Sequence, residues 1–155
     1  MNPKHNWYYI LLILILTIAL TGMLGCKTES VDNKPDTTKI SDVALTTAVD
    51  NDSKPTDPVK TVFSTNTPAI YCSFKLSDIS PEAMIKVSWI YISGENPNLQ
   101  NAIIDETYSI ASGGSSSYYL AIYVDKPASG WYKGDYKVVL SVNNVDKATA
   151  PFKIE

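Results

Sequence analysis

From residue 59 to the C-terminus, apolar side chains fall on alternate positions in short runs divided by turn residues. In the run beginning at Ile70, the residues Ile70, Cys72, Phe74 and Leu76 alternate with Tyr71, Ser73 and Lys75. The same alternation places Ile85, Val87, Trp89 and Tyr91 on one face of Met84–Ser93. It recurs through Tyr118, Leu120, Ile122 and Val124, and again through Tyr136, Val138, Leu140 and Val142. A period of two marks half-buried strands, and no stretch here needs the 3.6-residue period of a helix. Shorter or weaker runs at Lys60–Ser64, Ile103–Ile110 and Ala148–Ile154 bring the predicted strands to seven. Seven short strands in a segment of this size predict an all-β, antiparallel sandwich.

The N-terminus has a different pattern. Lys4 and His5 precede an uncharged apolar run from Trp7 to Leu20, followed by Thr21, Gly22, Met23, Leu24, Gly25 and Cys26. A charged start, an apolar centre and small residues at the end make the layout of a secretory signal. Leu24-Gly25-Cys26 resembles the end of a bacterial lipobox, with Met23 and Leu24 departing from its commonest residues. The resemblance implies a signal helix cut off before Cys26, and a diacylglyceryl group on the Cys26 thiol that anchors the chain in a lipid bilayer. Trp7–Leu24 also reaches the minimum length of a membrane-crossing helix, and cleavage elsewhere would give ordinary secretion. All three readings place the rest of the chain on the extracytoplasmic side of the cell membrane.

Between the two patterns, residues 27–58 hold no aromatic residue and no glycine, with four Lys against seven acids. Apolar patches such as Val43-Ala44-Leu45 are short for offsetting the entropy of ordering the chain. The expectation is a disordered linker, with a helix over residues 40–49 as the alternative. The predicted organisation is therefore a signal peptide over 1–25, the lipidated Cys26 and tether over 26–58, and the sandwich domain over 59–155. Asn51-Asp52-Ser53 within the linker fits the N-glycosylation triplet.

Composition narrows the chemistry. The chain has 155 residues, 13 Lys with no Arg, 16 acids, one His and two Cys, for a net charge of −3. An acidic chain without Arg is poorly suited to phosphate recognition, so no nucleic-acid partner is expected. One His and two Cys leave no ligand set for a zinc finger, and removal of residues 1–25 takes away His5, the one histidine. The usual general base at neutral pH is then missing. No catalytic residue, metal or cofactor is expected. Asp105 and Glu106 are adjacent and so point to opposite faces of a strand, which prevents them from forming a paired-carboxylate site alone. Cys72 falls on the apolar face and reads as core.

The globular part resembles an immunoglobulin-like or fibronectin-III-like domain on three features. These are Cys72 inward on the second predicted strand, Trp89 inward on the third, and Gly134-Asp135-Tyr136-Lys137-Val138 entering the sixth. The resemblance implies a tyrosine corner at Tyr136, and Val138 standing where a second cysteine would otherwise form a bridge.

Candidate binding residues lie in two loops. Trp131 and Tyr132, between Gly130 and Gly134, are either an aromatic platform for a sugar ring or partner, or a cover over the core beside Tyr136. Asn96 and Asn98 lie in the polar loop Ser93–Asn101, which either recognises a ligand or merely joins two strands. Ala111–Ser117 reads as a flexible turn. The function expected is that of a membrane-anchored, non-catalytic recognition or adhesion module for an unknown protein or polysaccharide ligand. The alternative is a structural or accessory subunit of a membrane or cell-envelope complex.

Overall fold

Eight strands account for most of residues 36–114 and 116–155, which the computed structural model describes. They are β1 (Lys39–Thr46), β2 (Val62–Phe63), β3 (Ala69–Ser77), β4 (Met84–Gly94), β5 (Ala102–Ile110), β6 (Tyr118–Asp125), β7 (Gly134–Val142) and β8 (Val145–Ile154). One sheet has the order β1-β3-β6, and the other β2-β8-β7-β4-β5. The signal segment, Cys26 and the first part of the linker lie outside the described residues, so the cleavage and lipidation expectations fall there too. Among the described residues, no helix is long and apolar enough to cross a membrane.

The predicted alternation sets the packing. Ile70, Cys72, Phe74 and Leu76 of β3 are fully buried, as are Ile85, Trp89 and Tyr91 of β4 and Val138, Leu140 and Val142 of β7. Trp89 lies opposite Val138 in the sheet, and Tyr91 opposite Tyr136. At the centre, the Tyr136 ring stacks on Phe152 at 5.1 Å, and Trp89 meets the same Phe152 edge-on at 6.0 Å. Such aromatic pairs contribute about 0.5–1.5 kcal/mol each beyond the area they bury. The Cys72 thiol lies wholly within this core, where burial pushes its pKa up to about 12 and leaves it inert.

Two expectations are corrected. Residues 36–58 are not a disordered tether: β1 pairs antiparallel with β3 and completes the smaller sheet, so the folded unit includes residues 36–58 and does not start at 59. Ile40 lies opposite Leu76 and Leu45 opposite Cys72, both on the core side. These two are five positions apart, an odd interval, because a bulge between Ser41 and Ala44, with Asp42 at φ 51°, resets the phase. The bulge therefore hides the period-two pattern from the sequence.

The following loop is ordered as well. Asp50 Oδ1 accepts from the backbone N–H of Asp52 at 2.9 Å and of Lys54 at 2.8 Å. The loop lies across the outer face of β3, where the Ser73 hydroxyl donates to the Ser53 carbonyl at 2.6 Å. That contact buries a serine that alternation alone would leave in water.

The second correction concerns number and direction of strands. There are eight instead of seven, and the sandwich is not wholly antiparallel, because β2 runs parallel to β8 with Val62 opposite Lys153. The chain crosses from the smaller sheet to the larger between β1 and β2, and arrives beside β8 in the same direction. Phe63 then enters the core at 5.8 Å from Phe152.

Candidate interaction surface

The four residues singled out in the sequence gather at one end of the sandwich, but they do not make an exposed platform. Trp131 is 5% exposed. Its indole Nε1–H donates to the Thr67 carbonyl at 2.8 Å, and its ring meets Tyr136 edge-on at 6.1 Å. The indole is thus core cover, the second of the two alternatives, and not a platform: a side chain of this size gains more from burial than from display. Tyr132 is half-buried against the same core. Its carbonyl accepts from the Tyr136 hydroxyl at 2.7 Å, which is the tyrosine corner. Burial, reinforced by the neighbouring Tyr91, pushes the Tyr136 phenol up to about 12.

Asn96 is half-buried and caps a short 3-10 turn over Pro97–Leu99, its side chain accepting from the Asn98 N–H at 3.1 Å. The Asn96 N–H donates to the Tyr91 hydroxyl at 2.9 Å, while Asn98 itself is exposed. The two loops are joined. The Glu95 N–H donates to the Lys133 carbonyl at 2.8 Å, and the Lys133 N–H donates to the Glu95 carboxylate at 3.0 Å. Gly94 and Gly134 make this closeness possible: a Cβ on Gly94 would strike the Lys133 carbonyl, and one on Gly134 the Ser93 carbonyl. This end of the molecule is built for rigidity.

The surface that the sequence reading passed over is β5, an edge strand of the larger sheet with no partner on its outer side among the described residues. Its binary pattern is inverted. Asp105, Thr107 and Ser109 lie opposite Trp89, Val87 and Ile85, the core-facing residues of β4. Ile103, Tyr108 and Ile110 lie opposite the outward Ile90, Lys86 and Met84, and are 57%, 54% and 75% exposed. Three large apolar side chains on one exposed edge strand are costly to leave in water and are a mark of an interaction site. The available signal was this phase reversal, which in the sequence looks only like a weak strand.

At the middle of the strip sits Glu106. Its carboxylate accepts from the Ser88 hydroxyl at 2.7 Å and from the Tyr108 hydroxyl at 2.6 Å, with Lys86 Nζ at 3.8 Å. The hydrogen bond from Tyr108 and then that from Ser88 hold Glu106 below the ordinary glutamate value, against an opposing effect of desolvation that is larger than the help from the charge of Lys86. The same bond to Glu106 raises the Tyr108 phenol. The strip therefore combines apolar ends with an ionised, hydrogen-bonded centre.

Beside it, a cleft of about 570 Å³ opens between the free edges of β5 and β6, lined by Ile104, Asp105, Thr107, Ile122 and Tyr123 among others. Tyr123 is 52% exposed and its ring leans on Tyr71 at 5.3 Å. What this side of the molecule offers chemically is contact: apolar side chains, unpaired strand edges and fixed hydrogen-bonding groups.

No protein-family model matches the sequence, and no curated protein matches it. Among solved structures, the chain is similar to an immunoglobulin-like protein from Pseudomonas aeruginosa, with a TM-score of 0.50 and 10% identity over 76% of this chain and 96% of the other. It is also similar to part of a β-glucosidase from Listeria innocua, with a TM-score of 0.49 and 7% identity over 77% of this chain and 16% of the enzyme. A third similarity is to an alkylpurine DNA glycosylase from Pseudomonas fluorescens, with a TM-score of 0.46 and 14% identity over 76% of this chain and 30% of that one. The chain spans less than a third of either enzyme's length. At these identities the likeness concerns fold alone. The two-sheet all-β architecture of this chain is immunoglobulin-like.

Proposed function

We propose that this chain is a lipid-anchored extracytoplasmic protein whose immunoglobulin-like domain is a non-catalytic recognition or adhesion module, and that it binds protein through β5. The observation that carries the reading is the outward strip of Ile103, Tyr108 and Ile110 on a free sheet edge. Burial of exposed apolar surface is the main drive of protein association, and an edge strand adds unpaired backbone groups to it. The lipobox-like Leu24-Gly25-Cys26 supports the anchor. With Trp131 enclosed, the recognition surface moves from the loop end to the side of the sandwich.

The test places a photoreactive amino acid at Tyr108, at Ile110 or at exposed Asn66 in the full chain on intact cells. Discrete protein adducts at the two β5 positions and none at Asn66 are expected. Adducts at all three, or at none, overturn the β5 assignment. The anchor is tested separately by Cys26→Ser, which should abolish labelling by a lipid precursor and leave the precursor uncut. Normal processing of that variant removes the anchor from the proposal.

A further inference from the structure

The chemistry along β5 is self-complementary. Two copies of a strand related by a twofold axis pair antiparallel, and only registers that keep both copies' outward side chains on one face are allowed. Three such registers pair seven or more residues of Ala102–Ile110, those centred on Asp105, Glu106 and Thr107. Pairing centred on Glu106 sets two carboxylates directly opposite each other, which is destabilising. Pairing centred on Asp105 sets the two Asp105 carboxylates opposite each other, with the same cost. Pairing centred on Thr107 sets Glu106 opposite Tyr108 of the second copy, and Tyr108 opposite its Glu106. These are the two groups already joined as acceptor and donor at 2.6 Å within one chain.

In the same register, Asp105 faces the hydroxyl of Ser109 across the inner side, and Thr107 faces its own equivalent. At each end, Ile110 of one copy reaches the neighbourhood of Ile103 of the other, which places the most exposed apolar groups of the strand together. Every charge in this arrangement meets a donor, and none meets its like. The acidic pair Asp105 and Glu106, which disfavours indiscriminate edge pairing, thus selects one register.

We infer that the partner of β5 is a second copy of this chain, joined by antiparallel β5–β5 pairing centred on Thr107, which extends the five-stranded sheet to ten strands. The inference rests on the reading of β5 as the contact surface and names its occupant. Residues directly opposite in an antiparallel pair have Cα atoms about 4.5–5.5 Å apart, within the range a disulfide spans. A cysteine at position 107 therefore reports the register.

The experiment uses the full chain in its membrane. Thr107→Cys is oxidised with copper phenanthroline and resolved without reductant, beside the unsubstituted chain, which controls for Cys26 and Cys72, and beside Asn66→Cys. The expected result is a disulfide-linked dimer for Thr107→Cys at least tenfold above both controls, lost on adding Ile110→Lys. Ser109→Cys, whose opposite residue is Asp105, is expected to crosslink much less. No dimer from Thr107→Cys, or equal dimer from Asn66→Cys, overturns the inference. The photocrosslinks separate the two failures. A dimer-free Thr107→Cys with heterologous adducts at Tyr108 removes the second copy and keeps the surface, whereas the absence of both removes the surface as well. Reactivity of the cysteine at 107 toward a small maleimide shows that it is accessible, and protection of the buried Cys72 from the same reagent shows that each variant is folded.

Discussion

Replacing Trp131 separates a core residue from a binding platform. The indole is 5% exposed, donates to the Thr67 carbonyl at 2.8 Å and packs edge-on against Tyr136 at 6.1 Å. An aromatic side chain buries roughly 150–250 Å², which at about 25 cal/mol per Å² corresponds to about 4–6 kcal/mol. Measured Trp→Ala losses of about 3–5 kcal/mol include the cavity left behind. The whole stability of a domain is only about 5–15 kcal/mol, so Trp131→Ala should consume much of it and lower the Tm by about 15 °C or more. Trp131→Phe keeps most of the ring but leaves the Thr67 carbonyl without its donor, for a loss of about 1–3 kcal/mol. Tyr132→Ala removes a half-buried side chain while its carbonyl still receives the Tyr136 hydroxyl, and about 1 kcal/mol is expected. Calorimetric melting of the three variants should rank them in that order. A Trp131→Ala domain that melts with the unsubstituted one refutes the reasoning, since a tryptophan that can vanish without cost is not holding the core.

Tyr136→Phe keeps the ring stack on Phe152 and deletes the 2.7 Å bond to the Tyr132 carbonyl, so urea unfolding should show a loss of about 1–2 kcal/mol; an unchanged midpoint would mean that the corner contributes nothing. A chain that begins at Asp36 should melt cooperatively, whereas one that begins at Val59 lacks β1, leaves β3 with β6 alone beside it and should show no cooperative transition by circular dichroism. Equal melting of the two would restore a boundary at residue 59. Because Glu106 is held below the ordinary glutamate value of 4.5 in the folded state, its stabilisation is present above that pH and lost as pH falls through the folded value. The Tm gap between the unsubstituted chain and Glu106→Gln should therefore be open at pH 7 and close in acid; a gap independent of pH would exclude ionisation as its cause. The Cys72 thiol should resist a thiol reagent in the folded protein and react on unfolding, and rapid reaction in the native state would contradict its burial.

The alternation of apolar positions was sufficient to place the strands that became β3, β4, β6 and β7, and it identified their core faces through Cys72, Trp89 and Val138. The tyrosine corner was readable too, because it depends on a short local spacing. Local pattern is determined by neighbours in the chain, and the sequence contains those neighbours. Three features depended on distant ones. The bulge in β1 shifts Leu45 by an odd interval from Ile40, and only pairing with β3 shows that both face the core. Burial of Trp131 needs the Thr67 carbonyl, 64 residues away, so an exposed aromatic loop and a closed core end look the same in one dimension. The apolar face of β5 is visible as outward only when β4 supplies the register. By itself, then, the sequence determined the all-β class and most core positions. Tertiary structure alone decided that the domain includes residues 36–58, that Trp131 is enclosed, and that β5 faces water with Ile103, Tyr108 and Ile110, because which side of a strand is inside is set by what packs against it.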